Sequence, residues 1–198
     1  MKPSMKFFSS ILLLAGLLSA PAWAAKTYEI DKDHSSVSFK IRHLVSNVNG
    51  SFNEFSGKIA VDDKKPENSS VEFTVMADSI NTANKKRDEH LRSGDFFDAD
   101  KFKEITFKSK KVKAIGKNKY QVEGDLTLHG VTQPVTVKVD YLGETKDPWG
   151  NTKSGFKTEF KVARKSYGMV WNKALDAGSL MLGDEVNLTV DVEATEKK

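Results

Sequence analysis

The 198-residue sequence contains no cysteine. This absence excludes a disulfide-stabilised scaffold, a thiol nucleophile and a metal site with cysteine ligands. Long apolar runs are also scarce, because only the stretch from Phe7 to Leu18 is predominantly apolar. After residue 24 nothing approaches the roughly 18 apolar residues that a membrane-spanning helix needs. We therefore expect a mature protein without a disulfide framework and without a transmembrane anchor.

The first 24 residues have the features of a cleaved secretory signal peptide. Lys2 and Lys6 precede the apolar run, and the small residues Ala22 and Ala24 provide a cleavage site. We predict cleavage after Ala24, a single mature domain of residues 25–198, and a periplasmic or secreted location. Loss of the two signal lysines lowers the formal net charge from +4 to +2. A nearly neutral chain argues against a nucleic-acid partner held by electrostatic attraction.

The dominant pattern after the signal peptide is an alternation of apolar and polar residues, which is typical of β-strands with one buried face. Polar outward positions favour antiparallel strands, because the strands of parallel sheets are covered on both faces. Short turn segments separate the strands. The pattern predicts about eight strands, enough for an antiparallel barrel or sandwich. They fall at 36–43, 52–61, 71–75, 105–107, 120–128, 135–141, 156–162 and 186–192.

Two stretches interrupt the alternation. Residues 81–91 favour a short helix, which either Thr82 or Asn84 is able to cap. Residues 166–183 show no clean period and contain three glycines, so we predict a loop-rich insertion with a turn of helix. No repeat or linker divides the chain. The sequence therefore predicts one all-β domain with one short helix.

The ionisable residues give no catalytic or metal-binding motif. The histidines His34, His43, His90 and His129 are widely spaced and form no ligand pair of a known metal motif. No nucleophile elbow, phosphate-binding loop or dinucleotide fingerprint is present. We therefore predict no catalytic residue, no metal and no cofactor.

Three of the ionisable residues, His43, Asp88 and His90, have more than one interpretation. His43 shares a strand face with apolar side chains, so it is either a buried imidazole bonded to the backbone or a polar group facing a ligand head group. Asp88 and His90 lie in an acidic region that would suit a carboxylate hydrolase. On a short helix, however, Asp88 and Arg92 are i,i+4 neighbours, so we expect an ordinary surface ion pair.

Several segments, in order along the chain, match the motifs of a known family. They are residues 28–31 (YEID), 34–44 (HSSVSFKIRHL), 50–57 (GSFNEFSG), 79–82 (SINT), 87–98 (RDEHLRSGDFFD), 124–132 (GDLTLHGVT) and 183–186 (GDEV). Through these segments the chain resembles the YceI-like family over nearly all of its mature length. The resemblance implies an extended lipocalin-like fold, in which eight antiparallel strands form a barrel around a long apolar tunnel. It also implies a non-enzymatic protein that binds an isoprenoid lipid or quinone, often as a homodimer.

The alternation of residues along each strand selects the candidate binding residues. Inward positions give a set of candidate lipid-binding residues, namely Phe39, Ile41, His43, Phe73, Val75, Phe107, Leu126, Leu128, Phe156 and Phe160. A β-bulge would invert this assignment downstream of it. Four arginines are candidates for contact with a phosphate or quinone head group, namely Arg42, Arg87, Arg92 and Arg164.

The leading prediction is a carrier that sequesters a polyprenyl phosphate or an isoprenoid quinone. Two alternatives remain open at this stage. One is an enzyme that acts on a hydrophobic substrate through His43 or the region of Asp88 and His90. The other is a protein-interaction barrel with a filled core. A cavity of several hundred Å³ favours the carrier over the filled core.

Overall fold

The computed structural model describes residues 25–174 and 180–197. The signal peptide predicted for residues 1–24 lies outside this range. One α-helix, α1, spans Lys85–Arg92, and short 3-10 helices span Pro66–Asn68, Ala77–Ser79 and Arg164–Tyr167. The strands are β1 (Lys26–His43), β2 (Ser46–Phe52), β3 (Phe55–Val61), β4 (Ser70–Met76), β5 (Ile80–Asn81), β6 (Glu104–Gly116), β7 (Lys119–Leu128), β8 (Val131–Lys146), β9 (Thr152–Ala163) and β10 (Leu182–Glu196).

Eight of these strands close an antiparallel barrel. Going around the barrel, the order is β1, β3, β4, β6, β7, β8, β9 and β10, and β10 then pairs with β1 to close it. Strands β2 and β5 lie outside the closed barrel, where β2 pairs with the second half of β1 and β5 pairs with β2. The prediction of an eight-stranded antiparallel barrel with one short helix is confirmed.

The two ends of the barrel differ in what covers them. Strand β1 runs from Lys26 at one end to His43 at the other. Helix α1 and the segment 164–182 lie at the end with His43, which we call the helix end. The short turns 117–118 and 147–151 lie at the end with Lys26, which we call the turn end.

A bulge in β1 keeps the interior apolar along the whole strand. The register between β1 and β10 shifts between Asp31 and Ser36. Before the shift Tyr28 packs in the interior, and after it Val37 and Ile41 do, although these positions have opposite parity. Four residues of β1 lie between Asp31 and Ser36, but only one residue of β10 lies between their partners. Since an odd excess of residues reverses which side chains face inward, the bulge restores the inward apolar pattern.

The strand predicted for residues 52–61 is confirmed only from Phe55 onward as β3, because the chain turns between β2 and β3. Phe52 and Phe55 are both buried, at 5% and 9% exposure, yet strict alternation would place them on opposite faces. The break at Asn53 and Glu54 allows both rings to reach the core. The backbone of Asn53 donates to the carbonyl of Ser79, and the carbonyl of Glu54 accepts from Met76. The mostly polar β2 has too weak an alternation to be detected in the sequence.

The predicted helix and one of its two possible caps are confirmed. Helix α1 begins after Asn84, whose side chain accepts a hydrogen bond from the backbone N–H of Arg87 at 3.1 Å. This bond satisfies one of the free N–H groups of the first turn. The described part of the predicted loop-rich insertion contains the 3-10 helix Arg164–Tyr167 and irregular backbone up to residue 174.

The expected surface ion pair between Asp88 and Arg92 is wrong. The Asp88 carboxylate is buried and accepts hydrogen bonds from the backbone N–H and the hydroxyl of Thr82, at 2.9 and 2.6 Å. Arg92 instead donates to the carbonyls of Asp78 and Ile80. Tertiary hydrogen bonds to the segment before the helix replace the local pair, and they attach α1 to the barrel.

The ion pair of Asp31 with Lys153, next to the β1 bulge, predicts that the protein loses stability in acid. The ammonium of Lys153, 2.6 Å away, holds the pKa of Asp31 at about 2. A carboxyl with a lowered folded-state pKa stabilises the fold above its unfolded pKa of about 3.9, and this contribution is lost as the pH falls through the folded-state pKa. We expect the wild type to lose about 2 kcal/mol of unfolding free energy from this group between pH 4 and pH 2. Asp31→Asn should lack this loss.

Urea denaturation at pH 7, 4 and 2 measures the difference. The exposed neighbour Asp33, which forms no ion pair among the described residues, provides the control Asp33→Asn, and this variant should keep the wild-type profile. Equal acid sensitivity of Asp31→Asn and the wild type would contradict the assignment.

Candidate functional site: an apolar cavity in the barrel

A cavity of about 570 Å³ lies inside the barrel. This volume is typical of sites that hold small molecules. Every strand of the closed barrel contributes apolar side chains to its wall, among them Val37, Ile59, Phe73, Phe107, Leu126, Val137, Phe160 and Val190. The barrel therefore has an open interior, which disfavours the alternative of a filled core.

Five phenylalanine rings of the wall face space instead of packing fully against their neighbours. Phe39, Phe73, Phe107, Phe156 and Phe160 border the cavity and are only half-buried. Fully packed interior residues lose nearly all exposure, as Tyr28 does at 2%. The inward rings thus retain apolar surface that a ligand can cover.

Two glycines allow aromatic rings to lie close to the wall. A Cβ on Gly124 would lie 2.7 Å from Cζ of Phe107, and a Cβ on Gly50 would overlap the ring of Phe39. Contacts this short do not occur between real side chains, so each ring occupies the space that a side chain at the glycine would need. The absence of a side chain at these two positions keeps the rings out of the centre of the cavity.

A buried tyrosine packs in the interior near the turn end. The Tyr28 ring is 2% exposed and packs with Ile59 and Val192, while Ala194 on the neighbouring strand β10 leaves room for it. The Tyr28 hydroxyl donates a hydrogen bond of 2.6 Å to Glu144. Burial, reinforced by this hydrogen bond, raises the pKa of Tyr28 to about 12, so the phenol stays protonated at neutral pH.

All ten candidate lipid-binding residues border the cavity. They are Phe39, Ile41, His43, Phe73, Val75, Phe107, Leu126, Leu128, Phe156 and Phe160. His43 is half-buried, and within residues 25–174 and 180–197 its imidazole has no hydrogen-bond partner. Among these residues the ring is therefore a polar group beside the cavity, not one bonded to a backbone carbonyl.

The four arginines that are candidates for head-group contact differ in whether they border the cavity. Arg87 borders the cavity at the helix end, where its Nε and Nη2 donate to the hydroxyl and carbonyl of Thr82 at 2.6 and 2.7 Å. Its Nη1 has no partner among the described residues. Arg42 is exposed, and Arg92 is bonded to backbone carbonyls; neither borders the cavity.

Arg164 borders the cavity, but its donors are used within the protein. The side chain is almost fully buried, and its Nε donates to the carbonyl of Gly183 at 2.9 Å. Its Nη1 donates to the carbonyls of Met169 and Trp171 at 2.6 and 2.8 Å, and Nη2 lies 3.4 Å from Asp184. Burial lowers the pKa of the guanidinium. The contacts join the segment 169–171 to the start of β10, so Arg164 shapes the helix end of the cavity.

Sequence reasoning missed a cluster of rings at the helix end. The His90 imidazole meets the rings of Phe96 and Trp171 edge-on, with centroids 5.1 and 5.0 Å apart, and all three residues border the cavity. Lys86, one helical turn before His90, borders it too. The i,i+4 spacing of Lys86 and His90 could have indicated that one face of α1 covers the cavity. Nothing in the sequence indicates that Trp171 would join them.

The residues proposed for catalysis are not assembled into a reacting group. The carboxylate of Asp88 accepts hydrogen bonds from Thr82, and His90 Nε2 lies 2.8 Å from the exposed carboxylate of Asp95. In the described chain neither residue is bonded to a serine or threonine nucleophile that faces the cavity. The geometry gives the enzymatic alternative no support.

One cluster of metal-ligand side chains occurs among the described residues, and a lysine already occupies it. Asp31, His34 and Glu193 have ligand atoms within 4.8 Å of one another. The Lys153 ammonium lies 2.6 Å from Asp31 and 3.3 Å from Glu193, where it supplies the positive charge. None of these residues borders the cavity.

Residues 25–174 and 180–197 include no helix whose length and hydropathy would suffice to cross a bilayer. A closed antiparallel barrel around one apolar cavity defines the class of lipocalin-like binding barrels. Within that class the chain belongs to the YceI-like family, since the model of the YceI-like domain matches residues 28–194.

Relatives and solved structures agree with this assignment. The UPF0312 protein of Pseudomonas fluorescens is 39% identical over 201 residues, which cover 98% of each chain. The crystal structure of BcnA from Burkholderia cenocepacia is 25% identical, has a TM-score of 0.75, and covers 84% of this chain and 99% of its own. A polyisoprenoid binding domain from Saccharophagus degradans, implicated in plant cell wall breakdown, shares the fold. Its TM-score is 0.62 at 16% identity, over 86% of this chain and 98% of that domain.

The contacts of Arg164 predict a large effect of a conservative substitution. Arg164→Lys keeps the charge but cannot reach three carbonyls with one planar group, so buried acceptors lose their donors. We expect a loss of about 3 kcal/mol in unfolding free energy, measured by urea denaturation. The neighbouring Lys165 pairs with the same Asp184 at the surface. The control Lys165→Met should cost less than about 1 kcal/mol, and similar losses in both variants would refute the role of Arg164.

Proposed function

We propose that the protein binds a long isoprenoid lipid, a polyprenyl phosphate or an isoprenoid quinone, inside the barrel and carries it through water. The observation that supports this most strongly is the cavity of about 570 Å³, to which all eight barrel strands contribute apolar side chains. A wall of this kind recognises a hydrocarbon chain by burial and not by directional hydrogen bonds.

Burial gives such a site an affinity that grows with chain length. Removing one methylene-sized group from water contributes about 0.8 kcal/mol, so each added isoprene unit that fits increases the affinity until the cavity is full. The inward rings of Phe39, Phe73, Phe107, Phe156 and Phe160 offer the apolar surface. In this proposal the ten inward residues contact the chain.

The head group would remain at the helix end. Arg87 borders the cavity there together with Lys86 and His43, and these side chains suit a phosphate or a quinone oxygen. Arg164 also borders this end, although its donors hold the loop. Arg42 and Arg92 do not border the cavity, so we assign the head-group role to Arg87.

The family and one solved neighbour support this class of ligand. The chain belongs to the YceI-like family, and the Saccharophagus degradans domain with the same fold is described as a polyisoprenoid binding domain. A role in binding, without catalysis, agrees with the absence of an assembled nucleophile in the described residues. The signal-like first 24 residues support export to the periplasm, where a lipid needs a carrier to cross an aqueous space.

Native mass spectrometry of the protein purified gently from its own host tests the proposal. We expect the mature mass that follows cleavage after Ala24, with an added mass that lipid extraction identifies as a prenyl lipid or quinone. The same spectra show whether the protein is a homodimer. A cavity that stays empty and takes up neither a polyprenyl phosphate nor a quinone would refute the proposal.

Gly50 allows a variant that narrows the cavity from inside. A methyl group at this position meets only side-chain atoms, the far end of Phe39 and the Thr82 methyl group, so Phe39 must move into the cavity. We expect Gly50→Ala to weaken binding of a long prenyl chain about tenfold, equivalent to about two methylene groups. In the control Gly116→Ala the nearest atom lies 3.9 Å away. A titration with a fluorescent prenyl lipid measures both, and unchanged affinity in a folded Gly50→Ala would contradict this geometry.

A further inference from the structure

The hairpin between β1 and β2 presents apolar side chains to solvent. Leu44 and Val45 form a two-residue turn between the paired residues His43 and Ser46. Val45 is 91% exposed, and Leu44 is 43% exposed with a φ of 49°. Such turns favour glycine, asparagine or aspartate, because side chains with φ above zero are strained. Leucine and valine do not favour this turn conformation, and the turn does not bury their side chains. The geometry of the turn therefore gives no reason for these two residues to be apolar.

Two further exposed apolar residues lie at the same end of the barrel. They are Val170 at 65% and Leu180 at 48% exposure. Backbone hydrogen bonds connect the loops that carry them, since Leu44 donates to Met181 at 2.8 Å and Met181 donates to Lys173 at 3.0 Å. We call Leu44, Val45, Val170 and Leu180 the apolar rim.

The apolar rim adjoins the cavity. Each rim segment is next in sequence to residues that line the cavity: His43 precedes Leu44, Val170 lies between two lining residues, and Met181 follows Leu180. The exposed apolar residues therefore lie at the edge of the cavity lining in all three segments. Exposed apolar groups arranged in this way mark an interaction site and not a random surface.

Basic side chains accompany the rim. Arg42 precedes the hairpin, Lys173 lies in the loop bonded to Met181, and Lys86 borders the cavity at the start of α1. All three are exposed, and none has a carboxylate within 4.0 Å in the described part of the chain. Asp184, which lies in the part of β10 opposite Arg42, pairs with Lys165 and Arg164.

We propose that the apolar rim docks the helix end of the barrel onto a bilayer that contains anionic phospholipids. Apolar side chains that enter the head-group region, flanked by cations that meet lipid phosphates, are the chemistry of reversible interfacial binding. The transfer of cargo through this contact rests on the proposed function, whereas the docking itself does not.

The charge pattern favours a bilayer over a second copy of the chain. A symmetric dimer through the rim would place Arg42 and Lys86 of one copy against the same residues of the other, and like charges oppose that contact. A membrane surface carries the opposite charge. A hydrocarbon chain that leaves the bilayer would also enter the cavity along the rim without crossing water.

Vesicle flotation with the mature, lipid-free protein tests the docking. Vesicles of phosphatidylcholine with 30% phosphatidylglycerol should bind the wild type at least tenfold more tightly than vesicles of phosphatidylcholine alone (an expected preference that follows from the rim cations). The double variant Val45→Asp, Val170→Asp should lose at least tenfold in binding. The control Leu142→Asp, Trp149→Asp changes side chains of similar exposure, 63% and 83%, away from the rim, and it should bind like the wild type.

A charge variant tests the role of the rim cations, and an uptake assay tests whether the rim variants still bind cargo. Arg42→Gln, Lys173→Gln should reduce binding to the anionic vesicles about tenfold and should make it less sensitive to salt. In detergent micelles the rim variants should take up a prenyl lipid as well as the wild type does, because no substituted residue lines the cavity.

Three outcomes would overturn the docking proposal: no binding of the wild type to either vesicle, equal binding of the rim variant and the control, or a concentration-dependent dimer that the rim variant abolishes. Vesicle binding by a protein that takes up no prenyl lipid would refute the proposed cargo and leave the docking intact. Lipid uptake by a protein that binds neither kind of vesicle would refute the docking and leave the proposed cargo intact.

Discussion

The pairing of β1 with β10 is the constraint on which the rest of the structure depends. It joins the first and last of the described strands and turns an open sheet into a barrel. Only a closed sheet has an interior whose whole wall is made of alternating side chains without a free edge. The cavity, the inward rings and the two distinct ends of the barrel all follow from that closure.

The closed wall would be of little use for binding if its side chains filled it. Two glycines keep the interior open. Gly50 and Gly124 let the rings of Phe39 and Phe107 lie where other residues would need space. The cavity extends from Val61 near the turn end to Arg87 and His43 at the helix end.

The alternation in the sequence was sufficient to predict the barrel wall but not its ends. Leu126, Leu128, Phe156 and Phe160 lie on strands that are regular at those positions, so parity placed them beside the cavity. The strand predicted for residues 52–61 begins only at Phe55, because the chain turns at Asn53 and Glu54, and the polar β2 before this turn has no clear alternation that would reveal it.

The helix end depends on contacts between distant segments, which no local pattern encodes. Asp88 binds Thr82 instead of forming the i,i+4 pair with Arg92, since a buried carboxylate gains more from two donors nearby than from an exposed partner. The carbonyls that Arg164 reaches lie up to 19 positions along the chain, at Gly183. Only the folded structure shows that the donors of Arg164 bind carbonyls of the protein itself and are not available to the head group of a ligand.

The long separation between the closing strands also has a consequence for how the protein forms. Ser35 and Glu193, which are hydrogen-bonded across the closure, are 158 positions apart in the chain. Contacts of such length bring an entropic barrier, so folding is slow compared with that of proteins built from local contacts. The chain has no complete barrel, and no enclosed cavity, until β10 is available to pair. A polypeptide that emerges gradually therefore cannot enclose the cavity until its last described strand is present.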